Sequence, residues 1–172
     1  MIIFSGSRRL DVSHKPYVQE IVKQILDAGV QVGVGCASGL DSFVRNTKGF
    51  SSQGQVFKVS GNTPSAYAQR SIKMVSTANH TRCASLLFWP QGSCPAGLLP
   101  NMSSSKCFCG KGSGTWATAA FAAGLGMSVY VFGMSKLSLP SSWGVWSKTN
   151  LYKGGFKLVP KSSFGPQLNL FQ

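Results

Sequence analysis

The sequence predicts an α/β domain: a doubly wound, mainly parallel sheet of about five strands with helices on both faces, followed by a basic C-terminal extension. Three observations carry that expectation. Short apolar, β-rich runs alternate with segments of helical periodicity, the pattern of strand–helix–strand units in a parallel sheet. At 172 residues and 43% hydrophobic side chains, the chain is sized for one domain with a real core. No apolar run approaches the ~20 residues that a membrane-spanning helix needs.

The elements follow in order. "IIFS" is a first strand, ended by Gly6. Its charges come after the apolar run, so "MIIFSGSRRL" reads as a strand and not as a secretory signal. From Tyr17 to Ala28, Val18, Ile21, Val22, Ile25 and Leu26 fall on one helical face, closed by Gly29. "VQVGV" is a second strand and "GLDSFVRNTKG" a short helix with a glycine stop. "QVFKVS" is a third strand, and "PSAYAQRSIKMVSTAN" a helix opened by proline. "ASLLFW" and "MSVYVFG" are two further strands, separated by "GTWATAAFAAGLG", an alanine-rich helix suited to close approach to a sheet. Two segments break the alternation. Residues 90–111 form a long Pro/Gly/Ser-rich insertion. Residues 134–172 form the basic extension, with one strand expected at Phe156–Val159.

Charge narrows the function classes. Seventeen Lys and Arg face four Asp and Glu, a formal net charge of +13. The acids are Asp11, Glu20, Asp27 and Asp41, so the cations beyond Asp41 are uncompensated by any acidic side chain. Such a field favours polyanions. Paired-carboxylate catalysis and carboxylate-rich metal sites lack their residues. Five cysteines without a signal sequence point to free thiols in a reducing cytoplasm. Cys83, Cys94, Cys107 and Cys109 lack the C-x-x-C turns that zinc prefers, so no metal is expected. Cys36 and Cys83 border apolar segments and read as core thiols. His14 and His80 read as surface or capping residues.

Four loops after strands suit phosphate: "SGSRR" (Ser5–Arg9), "GCASGLD" (Gly35–Asp41), "SGNTP" (Ser60–Pro64) and "GKGSGT" (Gly110–Thr115). Their Gly and Ser residues turn backbone N–H groups toward an anion, and Arg8, Arg9 and Arg70 stand beside them. Ser38 and Ser113 belong to the second and fourth loops. In an open parallel sheet all four loops rim one edge. Asp41 has two open readings: an acid placed at the positive end of its helix, or a contact to a ribose hydroxyl or base. Aromatic and basic residues interleave in the insertion and extension, among them Trp89, Lys106, Phe108, Lys111, Trp143, Trp146, Tyr152 and Phe156. They read either as platforms for unpaired bases or as packing against the domain.

The motifs "GSR", "GxxxGLDSFVR", "QR" leading into "MVSTAN", and "GSGT" together resemble the SLOG superfamily over roughly residues 1–133. That superfamily includes the DNA-processing protein A (DprA) domain, cytokinin-activating phosphoribohydrolases and sensors of nucleotide-derived ligands. The resemblance implies a Rossmann-like domain with a nucleotide or nucleic-acid phosphate site at Gly6, Ser7, Arg8, Gly39, Asp41, Arg70, Gly112, Gly114 and Thr115. It is weakest at the insertion and past residue 133. The hydrolase branch carries P-G-G-x-G-T-x-x-E; Gly114 and Thr115 match its G-T, but its catalytic Glu is replaced by Thr118. No catalytic residue and no cofactor are therefore expected.

Near the end of the chain, "QLNLF" (167–171) resembles the bacterial sliding-clamp-binding peptide, with Gln167 at a pocket rim and Leu168, Leu170 and Phe171 in an apolar groove. A strand docked on its own sheet is the other reading. The sequence thus points to a DprA-like accessory protein of DNA metabolism, cytoplasmic and nucleoid-associated. It would bind single-stranded DNA or a nucleotide at the strand-end crevice, be tethered to the DNA polymerase sliding clamp, and have no membrane partner. A homo-oligomer stays open. The rival is a sensor or sponge of a nucleotide-derived small ligand, or a phosphoribohydrolase-like enzyme.

Overall fold

The computed structural model describes residues 1–133, 138–152 and 154–161. The expected clamp-binding peptide at 167–171 lies outside the described residues. The first five strands are β1 (Ile2–Gly6), β2 (Val32–Gly35), β3 (Gly54–Phe57), β4 (Ser85–Trp89) and β5 (Ser128–Val131). They pair in parallel in the order β3-β2-β1-β4-β5. The chain winds outward from β1 to β3, then returns to β4 on the other side. The carboxyl ends of β1 and β4 therefore part where the winding reverses, which is where such sheets leave a crevice.

Among the described residues the sheet has seven strands where the sequence suggested about five. The two additions come from the extension: β6 (Gly144–Lys148) and β7 (Phe156–Pro160). They continue the sheet antiparallel, β7 against β5 and β6 against β7, making it mixed. The strand expected at Phe156–Val159 is β7; β6 is the unforeseen one. In β6 the apolar alternation is short, with Val145 exposed and Trp146 half-buried opposite Leu158. Glycine, serine and proline around it mask the period.

Alternating side chains cover both faces. On one face Ile3, Leu86, Phe88, Val129 and Val131 pack with α4 (Pro64–Asn79) and α6 (Gly114–Gly124) through Met74, Val75, Trp116 and Ala120. On the other, Phe4, Val34, Leu87 and Trp89 meet α1 (Lys15–Asp27) and α2 (Leu40–Arg45) through Val18, Val22, Leu40 and Val44. The helix expected from Gly39 to Gly49 is shorter. Gly49 adopts φ +92° and starts a separate turn, α3 (Phe50–Gln53).

The insertion is part of this architecture and contains α5 (Ser104–Cys107). Trp116 Nε1–H donates to the Gly92 carbonyl at 2.7 Å, and Trp143 Nε1–H donates to that of Leu98 at 2.8 Å. The Asn101 N–H donates to the Ala120 carbonyl at 3.3 Å. At Gly124 a Cβ would fall 2.2 Å from the Asn101 carbonyl carbon, so only glycine lets helix and insertion meet.

These contacts correct the base-platform reading for the tryptophans named from the sequence. Trp89 is buried, its ring 6.0 Å from Phe4 and 4.2 Å from Phe132 in stacked geometry. Trp143 is fully buried against Trp116. Trp146 is half-buried and donates to the Pro140 carbonyl at 3.1 Å, and Tyr152 is buried against Tyr130. The apolar rings close the core where the extension joins the sheet. Cys83 is likewise exposed where a core thiol was expected, and Cys36 is half-buried. His80 caps the end of α4 and His14 precedes α1.

Candidate functional site: a cationic crevice at the strand ends

The first two loops are locked together by glycine. A Cβ on Gly6 would lie 2.5 Å from a Leu40 methyl carbon, and one on Gly39 would lie 2.3 Å from the Arg8 carbonyl carbon. Gly39 also holds φ +69°, a conformation that other residues rarely adopt. Leu40 N–H donates to the Ser7 carbonyl at 3.1 Å, and Ser38 Oγ donates to that of Arg8 at 3.4 Å. Ser7 Oγ donates to Gln91 Oε1 at 3.0 Å and accepts from Arg9 N–H at 2.9 Å. Backbone at the end of β1 is thereby set before any ligand arrives.

Asp41 and Arg70 form the floor. Asp41 Oδ2 accepts from Arg70 Nη1 at 2.9 Å and from the Ala37 N–H at 3.2 Å. The side chains are 11% (Arg70) and 6% (Asp41) exposed, so water screens the pair weakly. Gly35 makes room for it: a Cβ there would sit 1.1 Å from Arg70 Nη1 and 2.4 Å from Asp41 Oδ2. Arg45 secures the same loop, donating to the Gly35 carbonyl at 2.7 Å and to that of Ala37 at 3.2 Å. Arg70 Nε is buried with no hydrogen-bond partner among the described residues. An unpaired buried donor is costly, so the guanidinium is held by geometry and not by full satisfaction.

The third and fourth loops start helices. Thr63 caps α4, its Oγ1 accepting from Ala66 N–H at 3.2 Å. Ser113 caps α6, its Oγ accepting from Trp116 N–H at 3.5 Å. Gly110 and Gly112 take φ +78° and +129°, allowing the chain to turn into α6.

These loops surround a crevice of about 860 Å³. Of the residues expected from sequence, Gly6, Ser7, Arg8, Asp41 and Arg70 line it from one side. Gly112, Ser113, Gly114 and Thr115 line it from the start of α6. Arg9, Ser38 and Gly39 do not line it; Ser38 and Gly39 act by holding Arg8's backbone. The third loop adds Asn62 and Pro64, and the start of α4 adds Ser65.

Three further lining residues carry chemistry. Tyr67, not singled out in the sequence, sits one helical turn before Arg70, and the Arg8 guanidinium carbon lies 4.6 Å from its ring centre. That i, i+3 spacing was the available signal. Lys111 and Phe108 reach the crevice from the insertion.

Arg8, Arg70 and Lys111 thus face one carboxylate, Asp41, which is already paired. The site is therefore cationic, and the positive end of α6 adds to it. Asp41 acts as the partner that orients Arg70, joining the helix-start reading to a specific ion pair. Thr118, at the position of the hydrolase Glu, is buried and donates its hydroxyl to the Gly114 carbonyl at 2.7 Å. Burial pushes the Cys94 thiol up to about 11 and raises that of Cys107, so neither is a ready thiolate at neutral pH. Among the described residues no three His, Cys, Asp or Glu side chains are placed to hold a metal ion, and no helix is long and apolar enough to cross a membrane.

No protein-family model matches the chain, and neither a curated protein nor a solved structure does.

Proposed function

We propose that this protein is an accessory factor of DNA metabolism that binds phosphate groups of single-stranded DNA or of a nucleotide in its strand-end crevice without cleaving them. In this reading the core is a Rossmann-like domain of the DprA-like SLOG type. One observation carries it: the glycine-rich loops meet around a single crevice in which three cations face one neutralised carboxylate. The Arg8 N–H and the backbone N–H groups of the Gly112–Thr115 turn would receive the phosphate, the Ser7 N–H being held by the Trp89 carbonyl at 3.1 Å, with the Arg8 and Lys111 side chains supplying charge. Turnover is not expected, because Asp41 is committed to Arg70 and Thr118 to its own helix. The "QLNLF" peptide supports mooring to the sliding clamp through Gln167, Leu168, Leu170 and Phe171.

The bounded volume of the crevice favours a second reading, a sensor or sponge of a small nucleotide-derived ligand. A mobility-shift titration with oligothymidylate separates the two. For the DNA reading, affinity falls steeply with salt and drops several-fold on Arg8→Ala. Indifference to both removes the crevice from DNA binding. Salt-resistant binding of a free nucleotide favours the sensor. Deleting residues 167–172 is expected to abolish clamp pulldown while leaving DNA affinity unchanged; retained pulldown removes the tether. Release of ribose 5-phosphate from nucleoside monophosphates is expected at background, and turnover above it would overturn the non-hydrolytic reading.

A further inference from the structure

We infer that the 90–111 insertion supplies a nucleobase subsite to this crevice, with Phe108 as the ring against which the base lies. The ligand is then taken as a nucleotide unit and not as bare sugar-phosphate. The inference rests on the reading that the glycine-rich loops hold phosphate.

The crevice has two chemically unlike walls. Gly6, Ser7, Arg8 and Arg70 present polar and cationic groups. The insertion presents an apolar stretch, Pro95, Leu98 and Phe108, together with the polar Gln91 and Lys111. A phosphate alone would need only the first wall. At about 860 Å³ the space falls within the ~300–1,000 Å³ typical of sites for small organic ligands, far beyond one anion. A nucleotide joins an anion to a flat apolar heterocycle, which is the combination the two walls match.

The apolar wall is pre-formed. Trp116 and Trp143 pin it through the Gly92 and Leu98 carbonyls, and Asn101 pins it to α6. Phe108 is half-buried, its ring 6.3 Å from that of Phe121 at an interplanar angle of 70°. The ring is thus braced from behind while part of it stays open to the crevice. Of the two aromatic rings that line the cavity among the described residues, Tyr67 already has the Arg8 guanidinium over it. Phe108 is the ring left for a base. Stacking on one aromatic ring contributes roughly 5- to 150-fold in affinity.

Calorimetric titration of the full chain with the four nucleoside 5′-monophosphates and with ribose 5-phosphate tests this. At least one monophosphate is expected to bind about 5-fold or more tightly than ribose 5-phosphate. Phe108→Ala should erase that difference and leave ribose 5-phosphate affinity unchanged, which also shows that the crevice still folds. Phe108→Leu, which keeps apolar volume behind the wall, should lose most of the same preference. An oligothymidylate and an abasic oligomer of equal length separate the sources. A Phe108 effect on the thymidylate oligomer alone places a strand in the crevice, and one on the monophosphates alone places a free nucleotide there. Equal binding of monophosphates and ribose 5-phosphate, with the two oligomers also alike, overturns the base subsite while the phosphate reading stands. So does an equal loss for all ligands on Phe108→Ala. Failure of every probe to bind overturns both.

Discussion

Replacing Gly35 by alanine is a sharp probe of the crevice floor. Gly35 does not hold a left-handed φ, so the substitution meets no backbone penalty of that kind. Gly→Ala at a compatible position ordinarily stabilises by about 0.4–1 kcal/mol. Here the new methyl would coincide with Arg70 Nη1, at 1.1 Å, and crowd Asp41 Oδ2 at 2.4 Å. The guanidinium must leave, stranding a carboxylate that is 6% exposed. Breaking a buried ion pair from one side costs about 3–5 kcal/mol, so the net loss is roughly 2–4 kcal/mol. For a domain of this size each kcal/mol moves Tm by about 2–4 °C, giving a fall of roughly 5–15 °C. Thermal unfolding followed by circular dichroism reads it, with Arg70→Ala as the comparison. If Gly35→Ala raises Tm or leaves it unchanged, the glycine does not exist to seat the Arg70–Asp41 pair, and the description of the floor is wrong.

Three other outcomes follow from the same packing. Gly124→Ala should destabilise the fold although alanine favours helix by about 1 kcal/mol, because its methyl would strike the Asn101 backbone; protease cleavage within residues 90–111 should rise with the loss of Tm. Trp143→Phe removes the donor to the Leu98 carbonyl and should cost about 1–3 kcal/mol in denaturant unfolding. Alkylation at pH 8 should label exposed Cys83 and Cys109 well before Cys94 and Cys107, as read by mass spectrometry. Because burial raises the Cys94 thiol from 9.0 to about 11, the native state holds its proton where the unfolded chain releases it. Its contribution to stability is therefore complete below pH 9 and lost as pH climbs toward 11, and Cys94→Ala should flatten that decline.

Where local chemistry decides, the sequence was a good guide. The segment Pro64–Asn79 is helical over the range its proline start and periodicity indicate, with Thr63 as cap. The five parallel strands lie where apolar runs end at glycine-rich loops, because a strand buried on both faces has to be apolar throughout. The loops were legible for the same reason, since glycine and a capping hydroxyl mark a turn into a helix. Distance in the chain hid the rest. Asp41 and Arg70 are 29 residues apart, and nothing local announces that one carboxylate will neutralise one guanidinium. Tryptophans in a basic extension look the same whether they meet bases or the core; only the Trp116 ring of α6, 5.5 Å from that of Trp143, shows Trp143 inside. The insertion looked like a loop because its order comes from indole donors elsewhere in the chain, not from its own periodicity.

Amide chemical-shift mapping with a 5′-phosphorylated oligothymidylate and with thymidine 5′-monophosphate tests the central reading most directly. Gly6, Ser7 and Arg8 should shift together with Gly112, Ser113, Gly114 and Thr115, and Arg8→Ala should weaken the response. Shifts confined to surfaces away from these two turns, or none at millimolar ligand, would contradict a phosphate site in the crevice.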